Sequence, residues 1–202
     1  MEKYPFFVLA NINEFIQPMD RGERYEDPLA EILEEKNLGE VDGGGSSFSK
    51  ETGYIFEVDV CFYLANLDEA LDLAKASLLK SGIPAGSYLS IEIDDTTRRD
   101  YIGELESLEI FLDAVGLPDE VYANLDFNAV YERLTTSFAE IDAEPRSVYD
   151  MSEETLITVF GKDANLILER TKSLAKEIPI LQNARLLLRG KDNVGSPQEY
   201  KI

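Results

Sequence analysis

From Gly53 to Leu64 the chain alternates face by face. Phe56, Val58, Val60, Phe62 and Leu64 fall on one side; Ile55, Glu57, Asp59, Cys61 and Tyr63 fall on the other. A period of two marks a strand with one buried face. Asn66, with Glu69 three residues on, reads as a capping-box start. Leu67, Ala70, Leu71, Ala74 and Leu78 then follow at helical spacing, and Gly82 and Pro84 stop the helix. Ser87–Asp94 returns to alternation, with Leu89, Ile91 and Ile93 inward. No other stretch constrains the fold as strongly as this strand–helix–strand block.

Upstream, Lys3–Asn13 reads as a strand in which Phe6, Val8, Ala10 and Ile12 alternate with Phe7, Leu9 and Asn11. Gln17–Glu26 is polar and reads as a loop. Asp27-Pro28 has the chemistry of a helix start, a carboxylate cap before a proline at the first helical position. Leu29, Ile32 and Leu33 supply its apolar stripe, and Asn37-Leu38-Gly39 its end. Leu38–Val41 fits a short strand, and Asp42-Gly43-Gly44-Gly45-Ser46 a wide hairpin turn. The triple glycine lacks the Lys and Ser/Thr of a P-loop and the spacing of a dinucleotide fingerprint. The order is β-α-β-β-α-β, the split βαβ or ferredoxin-like unit.

The order then recurs. Leu105–Val115 is a strand and Pro118–Asn124 a loop or short helix; Asp126 caps a helix with Phe127, Val130, Tyr131, Leu134, Phe138 and Ile141 on one side. Pro145–Tyr149 and Thr155–Phe160 read as strands. Asp163 caps a helix with Ile167, Leu174 and Ile178 inward, ended by Pro179, and Ala184–Arg189 is the last strand. The expected fold is therefore α+β, two tandem ferredoxin-like (βαββαβ) units, with one continuous sheet through both as the alternative. Residues 1–94 form the first unit, the polar segment 95–103 a linker, 104–190 the second unit and 191–202 a tail.

Composition narrows the chemistry. The chain of 202 residues has no histidine and a single cysteine, Cys61. Ser–His–Asp, Cys–His and His-containing metal sites are impossible within it, as are an internal disulfide and a Cys-based zinc site. The formal net charge is −21, and the excess lies in residues 1–150, with 33 Asp+Glu against 11 Lys+Arg. A field of that sign repels nucleic acid and anionic membrane and attracts basic partners. No apolar run approaches the ~20 residues that span a bilayer, so the expected location is the cytoplasm. No cofactor and no metal is expected.

Two groups of side chains stand out. In a ferredoxin-like sheet the third and fourth strands flank the first, which puts Glu57, Asp59, Glu92 and Asp94 on one open face, with Tyr63 and Tyr88 as amphipathic anchors. The simplest reading of such acids is solvation; the sharper one is a surface for a partner's Lys and Arg. Arg21 and Arg24, in the acidic loop before Asp27, and Arg98, in the expected linker, are suited either to local ion pairs or to gripping an anionic ligand held between the units.

The run Asp20-Arg21-Gly22-Glu23-Arg24-Tyr25-Glu26-Asp27-Pro28-Leu29, followed by Leu38-Gly39-Glu40-Val41-Asp42-Gly43-Gly44-Gly45, resembles a set of uncharacterised bacterial proteins. The likeness extends over about the first 90 residues, through Gly82–Ser87, and implies no established activity. In size and acidity the chain also resembles bacterial toxin-immunity proteins, many of them acidic inhibitors of a basic toxin site. That similarity is one of character, without a shared motif. The expected function is a non-catalytic acidic protein–protein interaction module, of the immunity type, that binds a basic protein partner. A small-ligand binder and a carboxylate- or Mg²⁺-dependent enzyme are the alternatives.

Overall fold

The computed structural model describes residues 3–48, 55–94 and 96–202, so Gly53 and Tyr54 of the expected strand and Asp95 of the expected linker lie outside the described residues. Two compact units divide at Glu104 and Leu105. The first contains β1 (Phe6–Ile12), α1 (Pro18–Arg21), a π turn (Gly22–Glu26), α2 (Asp27–Lys36), β2 (Gly39–Phe48), β3 (Ile55–Leu64), α3 (Glu69–Lys80), β4 (Tyr88–Ile93) and β5 (Thr96–Tyr101). Its sheet order, β2-β3-β1-β4-β5, is all antiparallel. It is the ferredoxin-like order with one strand added at the β4 edge.

The second unit contains β6 (Glu106–Asp113), α4 (Asp119–Ala123), α5 (Phe127–Ala139), β7 (Glu144–Asp150), β8 (Glu154–Gly161), α6 (Ala164–Leu174), β9 (Arg185–Arg189) and β10 (Gln198–Lys201). Its order, β10-β9-β6-β8-β7, is the same topology, fifth strand included. The expected tandem of ferredoxin-like units is thus present as two five-stranded sheets, not as one continuous sheet.

The repeat extends to register. Val8 and Ala10 pair with Phe62 and Val60 as Leu108 and Ile110 pair with Val159 and Ile157. Both second strands slip by one residue at the same place, between Val41 and Gly44 in β2 and between Pro145 and Ser147 in β7. Each unit closes its own core. Val8, Ala10, Ile12, Val58, Val60 and Phe62 meet Leu29, Leu33, Leu71, Ala74 and Leu78 in the first. Leu108, Ile110, Ile157 and Val159 meet Leu134, Phe138, Ile167 and Leu168 in the second.

Several local expectations need correction. Pro18–Glu26 of the expected loop is helical, and Asp27 lies inside a helical run from Pro18 to Lys36 instead of capping it. Pro18 takes the first-turn place, and the widened π turn before Pro28 absorbs a residue that has no N–H and crowds the preceding carbonyls. Asp27 N–H accordingly reaches back to the Gly22 carbonyl. The triple glycine is not a turn but part of β2, and Gly43 sits in its bulge at φ +92°. A Cβ on Gly44 would overlap the Asp59 carbonyl and approach Arg21 Cζ at 3.3 Å, so the position accepts only glycine.

Ile55 belongs to the core, not to the outer face. The ladder to β2 slips between Ser47 and Phe48, which switches the alternation there. The expected linker contains β5 and the expected tail contains β10. Both are edge strands with few buried side chains, so neither carries the apolar alternation by which strands are read. Two cap assignments hold: Asp126 accepts from the Ala129 amide, and Asp163 from Asn165 and Leu166. Asn66 accepts from the Asp68 and Ala70 amides, but the cap residue of α3 is Asp68, so Glu69 is the first helical residue and not the third of a capping box.

Candidate partner-binding face

In the first unit the helices cover one side of the sheet, and the other side is set out in rows by the strand register. One row runs Gly45–Asp59–Asn11–Tyr88–Tyr101 across β2, β3, β1, β4 and β5. The next runs Cys61–Leu9–Ser90–Arg99, and a third contains Glu40, Tyr63 and Phe7.

Glu57 and Asp59 come together, half-buried, around one amide. Asn11 Nδ2 donates to Glu57 Oε1 and to Asp59 Oδ1, the latter at 3.0 Å. Asn11 is itself buried, with 8% exposure, and so fixes both carboxylates. Burial pushes the Asp59 carboxyl above its ordinary range; the Asn11 hydrogen bond opposes this, Glu57 adds to it, and the Arg21 charge opposes it. Burial, with Asp59 and Asp42 behind it, likewise pushes the Cys61 thiol up. The thiol is therefore held in its unreactive protonated form at neutral pH.

Of the aromatic anchors, Tyr88 lies in the Asp59–Asn11 row and Tyr63 two rows away on the same face. Tyr63 packs against Phe7 with ring centroids 5.3 Å apart, and Tyr88 against Tyr101 at 5.7 Å. The Arg99 guanidinium lies 4.8 Å above the Tyr88 ring, which shows that this ring accepts a cation.

Glu92 and Asp94 do not join the cluster. The β1–β4 register sets Glu92 about four residues along the sheet from the Asn11 row, roughly 13 Å at strand spacing. Asp94 lies beyond the end of β4 at φ 53°, the positive φ that tight hairpin connections need. It serves the β4–β5 turn.

The arginines do not converge either. Arg21 is buried at the β2 edge, where it pairs with Glu26 at 2.5 Å and donates to Gly45 O at 2.8 Å and Ser46 Oγ at 3.3 Å. It ties the helical segment to β2. Arg24 is half-buried in the π turn. Arg98 is exposed on β5, at the opposite edge, and pairs with Asp100, which Lys75 also holds at 2.7 Å. Four strand spacings, roughly 19 Å, separate the edge that Arg21 grips from the one that carries Arg98.

Asn11 and Tyr101 are the face residues that the sequence did not single out; Arg99 stood beside Arg98 in the expected linker, and its place over the Tyr88 ring was not foreseen. A lone Asn among Phe7, Leu9 and buried Ala10 was the available signal. Among the described residues no group of three or more Cys, Asp and Glu side chains is placed to hold a metal ion. Nor is any described helix long and apolar enough to cross a membrane.

No protein-family profile matches the chain, and no curated protein matches it. Among solved structures it is similar to the first two RRM domains of a yeast poly(U) binding protein, at 11% identity over 92% of this chain and 99% of that one, TM-score 0.24. It is also similar to the regulatory subunit of aspartate kinase from Thermus thermophilus, at 13% identity over 84% and 93%, TM-score 0.27. A tRNA fluorescent labeling enzyme matches at 10% identity over 83% and 55%, TM-score 0.31. Superpositions this loose carry no argument about function; the fold rests on the strand order and register above.

Proposed function

We propose that the chain is a non-catalytic, cytoplasmic protein–protein interaction module. Its first unit offers the Glu57–Asp59 pair, with Tyr88 in the same row and Tyr63 on the same face, to a basic protein partner, in the manner of an immunity-type inhibitor. The observation that supports this best is the amide of Asn11 holding two half-buried carboxylates on one sheet face. Carboxylates already fixed in place lose little freedom when a lysine or arginine arrives. The two tyrosines add large, rigid contact area. The surrounding field has the same sense, since residues 1–104 hold 22 acidic against 9 basic side chains. Arg21 and Arg98 are engaged internally and lie at opposite edges, so no observation favours the small-ligand alternative.

The test is capture of partners on the immobilised full chain from native cytosol, at low and high salt, beside the Glu57→Gln/Asp59→Asn variant. A basic protein retained at low salt, released at high salt and lost with the variant is the expected outcome. Retention that ignores both salt and the variant would exclude this face.

A further inference from the structure

Because the units share one topology, their inter-helix grooves can be compared position by position. The groove of the second unit, about 670 Å³, lies between α5 and α6. Two ion pairs strap it: Arg133 with Glu177 at one end, and Arg170 with Glu140 at 2.6 Å at the other. Arg170 also donates to the Ser137 carbonyl and hydroxyl at 3.0 Å. Arg133 on α5 and Glu140 just past its end are seven residues apart, as are Arg170 on α6 and Glu177 in the turn that follows.

The groove of the first unit, about 570 Å³, lies between α2 and α3 and has the same spacing. Pro28 and Glu35 on α2 occupy the places of Arg133 and Glu140; Leu73 and Lys80 on α3 occupy those of Arg170 and Glu177. One strap keeps its acid and loses its base: Glu35 stands in the place of Glu140, and Leu73 in that of Arg170. The other loses its base to Pro28 and reverses its acid, Lys80 standing in the place of Glu177. Among the described residues no ion pair crosses this groove; the recorded partner of Glu35 is its own neighbour Lys36, at 3.4 Å. The floor is apolar, with Ile32, Leu73 and Ala76 between the two charges.

We propose that this groove docks an amphipathic partner helix that supplies a counter-charge to Glu35 and another to Lys80. The helix lays an apolar stripe on Ile32, Leu73 and Ala76, presents a basic side chain to Glu35, and presents an acidic one, two turns away, to Lys80. Seven residues of helix span roughly 10 Å, the interval over which the groove sets its own charges. Stripe and flanking charges are the features by which a helix is read in a groove. Glu31, on the same wall as Glu35, favours a second basic side chain in the partner. This surface is separate from the sheet face and does not depend on the function proposed for it.

Two synthetic helical peptides of about four turns, titrated into the full chain by fluorescence anisotropy, test it. Both carry a leucine stripe. The first has a lysine and a glutamate two turns apart, the second a glutamate at both places. The first should bind the wild-type chain, weaken at least tenfold with Glu35→Lys, and be lost with Ala76→Arg, a substitution at an exposed position. The second should prefer the Glu35→Lys chain to the wild type. Glu57→Gln/Asp59→Asn should leave both unchanged, which separates this surface from the sheet face. Absence of binding by the first peptide, or binding that Ala76→Arg does not alter, overturns the proposal. A self-associated chain that Ala76→Arg dissociates would overturn it in favour of a second copy.

Discussion

The two units place the same strands in the same register and dress their helix-free sheet faces in opposite ways. Where the first has Leu9, Tyr88 and Glu92, the second has Glu109, Arg185 and Arg189. In the second, Arg185 covers Phe111 at 3.8 Å and grips Glu154 through Nε at 3.2 Å and Nη2 at 2.7 Å. Arg146 lies 4.9 Å above the Phe160 ring, and Arg189 Nε meets the buried Glu109 at 2.5 Å. The second face is thus roofed by its own arginines. On the first, the Glu57–Asp59 carboxylates are held by an amide, and no ion pair among the described residues lies across them. Topology follows from the apolar alternation on the core side; the other side is free to take on different chemistry.

The largest effects should come from the two cores. Phe62→Ala on β3 and Phe138→Ala on α5 each empty fully buried space in their own unit's core, and each should cost about 3–5 kcal/mol. Hydrogen exchange reads the comparison: protection should fall in the unit that carries the substitution. Equal losses in both units would mean that the division at Glu104 is not an energetic one.

Next comes the buried pair of the second unit. Arg189→Ala leaves Glu109 buried without its cation, and denaturant unfolding should show a loss of about 3 kcal/mol. Adding Glu109→Leu, the residue the first unit uses at that place, should recover most of it. A double variant as weak as the single one would show that the carboxylate is not the cause.

Glycine at position 44 sharpens the comparison at the bulge. Gly44→Ala drives a methyl into the Asp59 carbonyl and should cost about 1–3 kcal/mol. Val148→Ala, at the equivalent position of β7 and exposed, should cost less, by the same unfolding measurement.

The smallest effect is the pH response of Asp59, which has Leu156 as its counterpart. A carboxyl raised in the folded state binds its proton more tightly there than when unfolded. Its penalty is absent below the ordinary carboxylate pKa and grows as pH rises through the raised value. Asp59→Asn should therefore stabilise slightly at neutral pH and flatten that part of the stability profile. Asp113 is lowered by the Val115 and Gly116 amides and acts in the opposite sense, its contribution being lost as pH falls. An unchanged profile in Asp59→Asn would remove Asp59 as the source.

Most of the fold was legible wherever one face of an element is buried. Val58–Leu64 and Leu89–Ile91 announced their strands, and Asp126 and Asp163 their helix starts. Thr96–Tyr101 and Gln198–Lys201 did not, because edge strands bury little. Bulges are invisible to a period-two reading, so β2 was read as a strand only through Val41, its middle from Asp42 to Ser46 was read as a turn, and Ile55 was set on the wrong face. At the site, alternation alone brought Glu57, Asp59, Tyr63 and Tyr88 to one face. Strand register, which sequence does not supply, set Glu92 as far from the Asp59–Asn11 row as Tyr63 and brought in Asn11 and Tyr101. Arg21 was misread because its partners, Gly45 and Ser46, are distant in sequence.

The claim that the first sheet face receives a basic partner is tested most directly by amide chemical-shift mapping with an oligolysine peptide, on wild-type chain and on Glu57→Gln/Asp59→Asn. Shifts should concentrate on the Asp59–Asn11–Tyr88 row, weaken with salt, and shrink at least tenfold in apparent affinity in the variant. Shifts of equal size on the arginine-covered face of the second unit, or unchanged affinity in the variant, would contradict it.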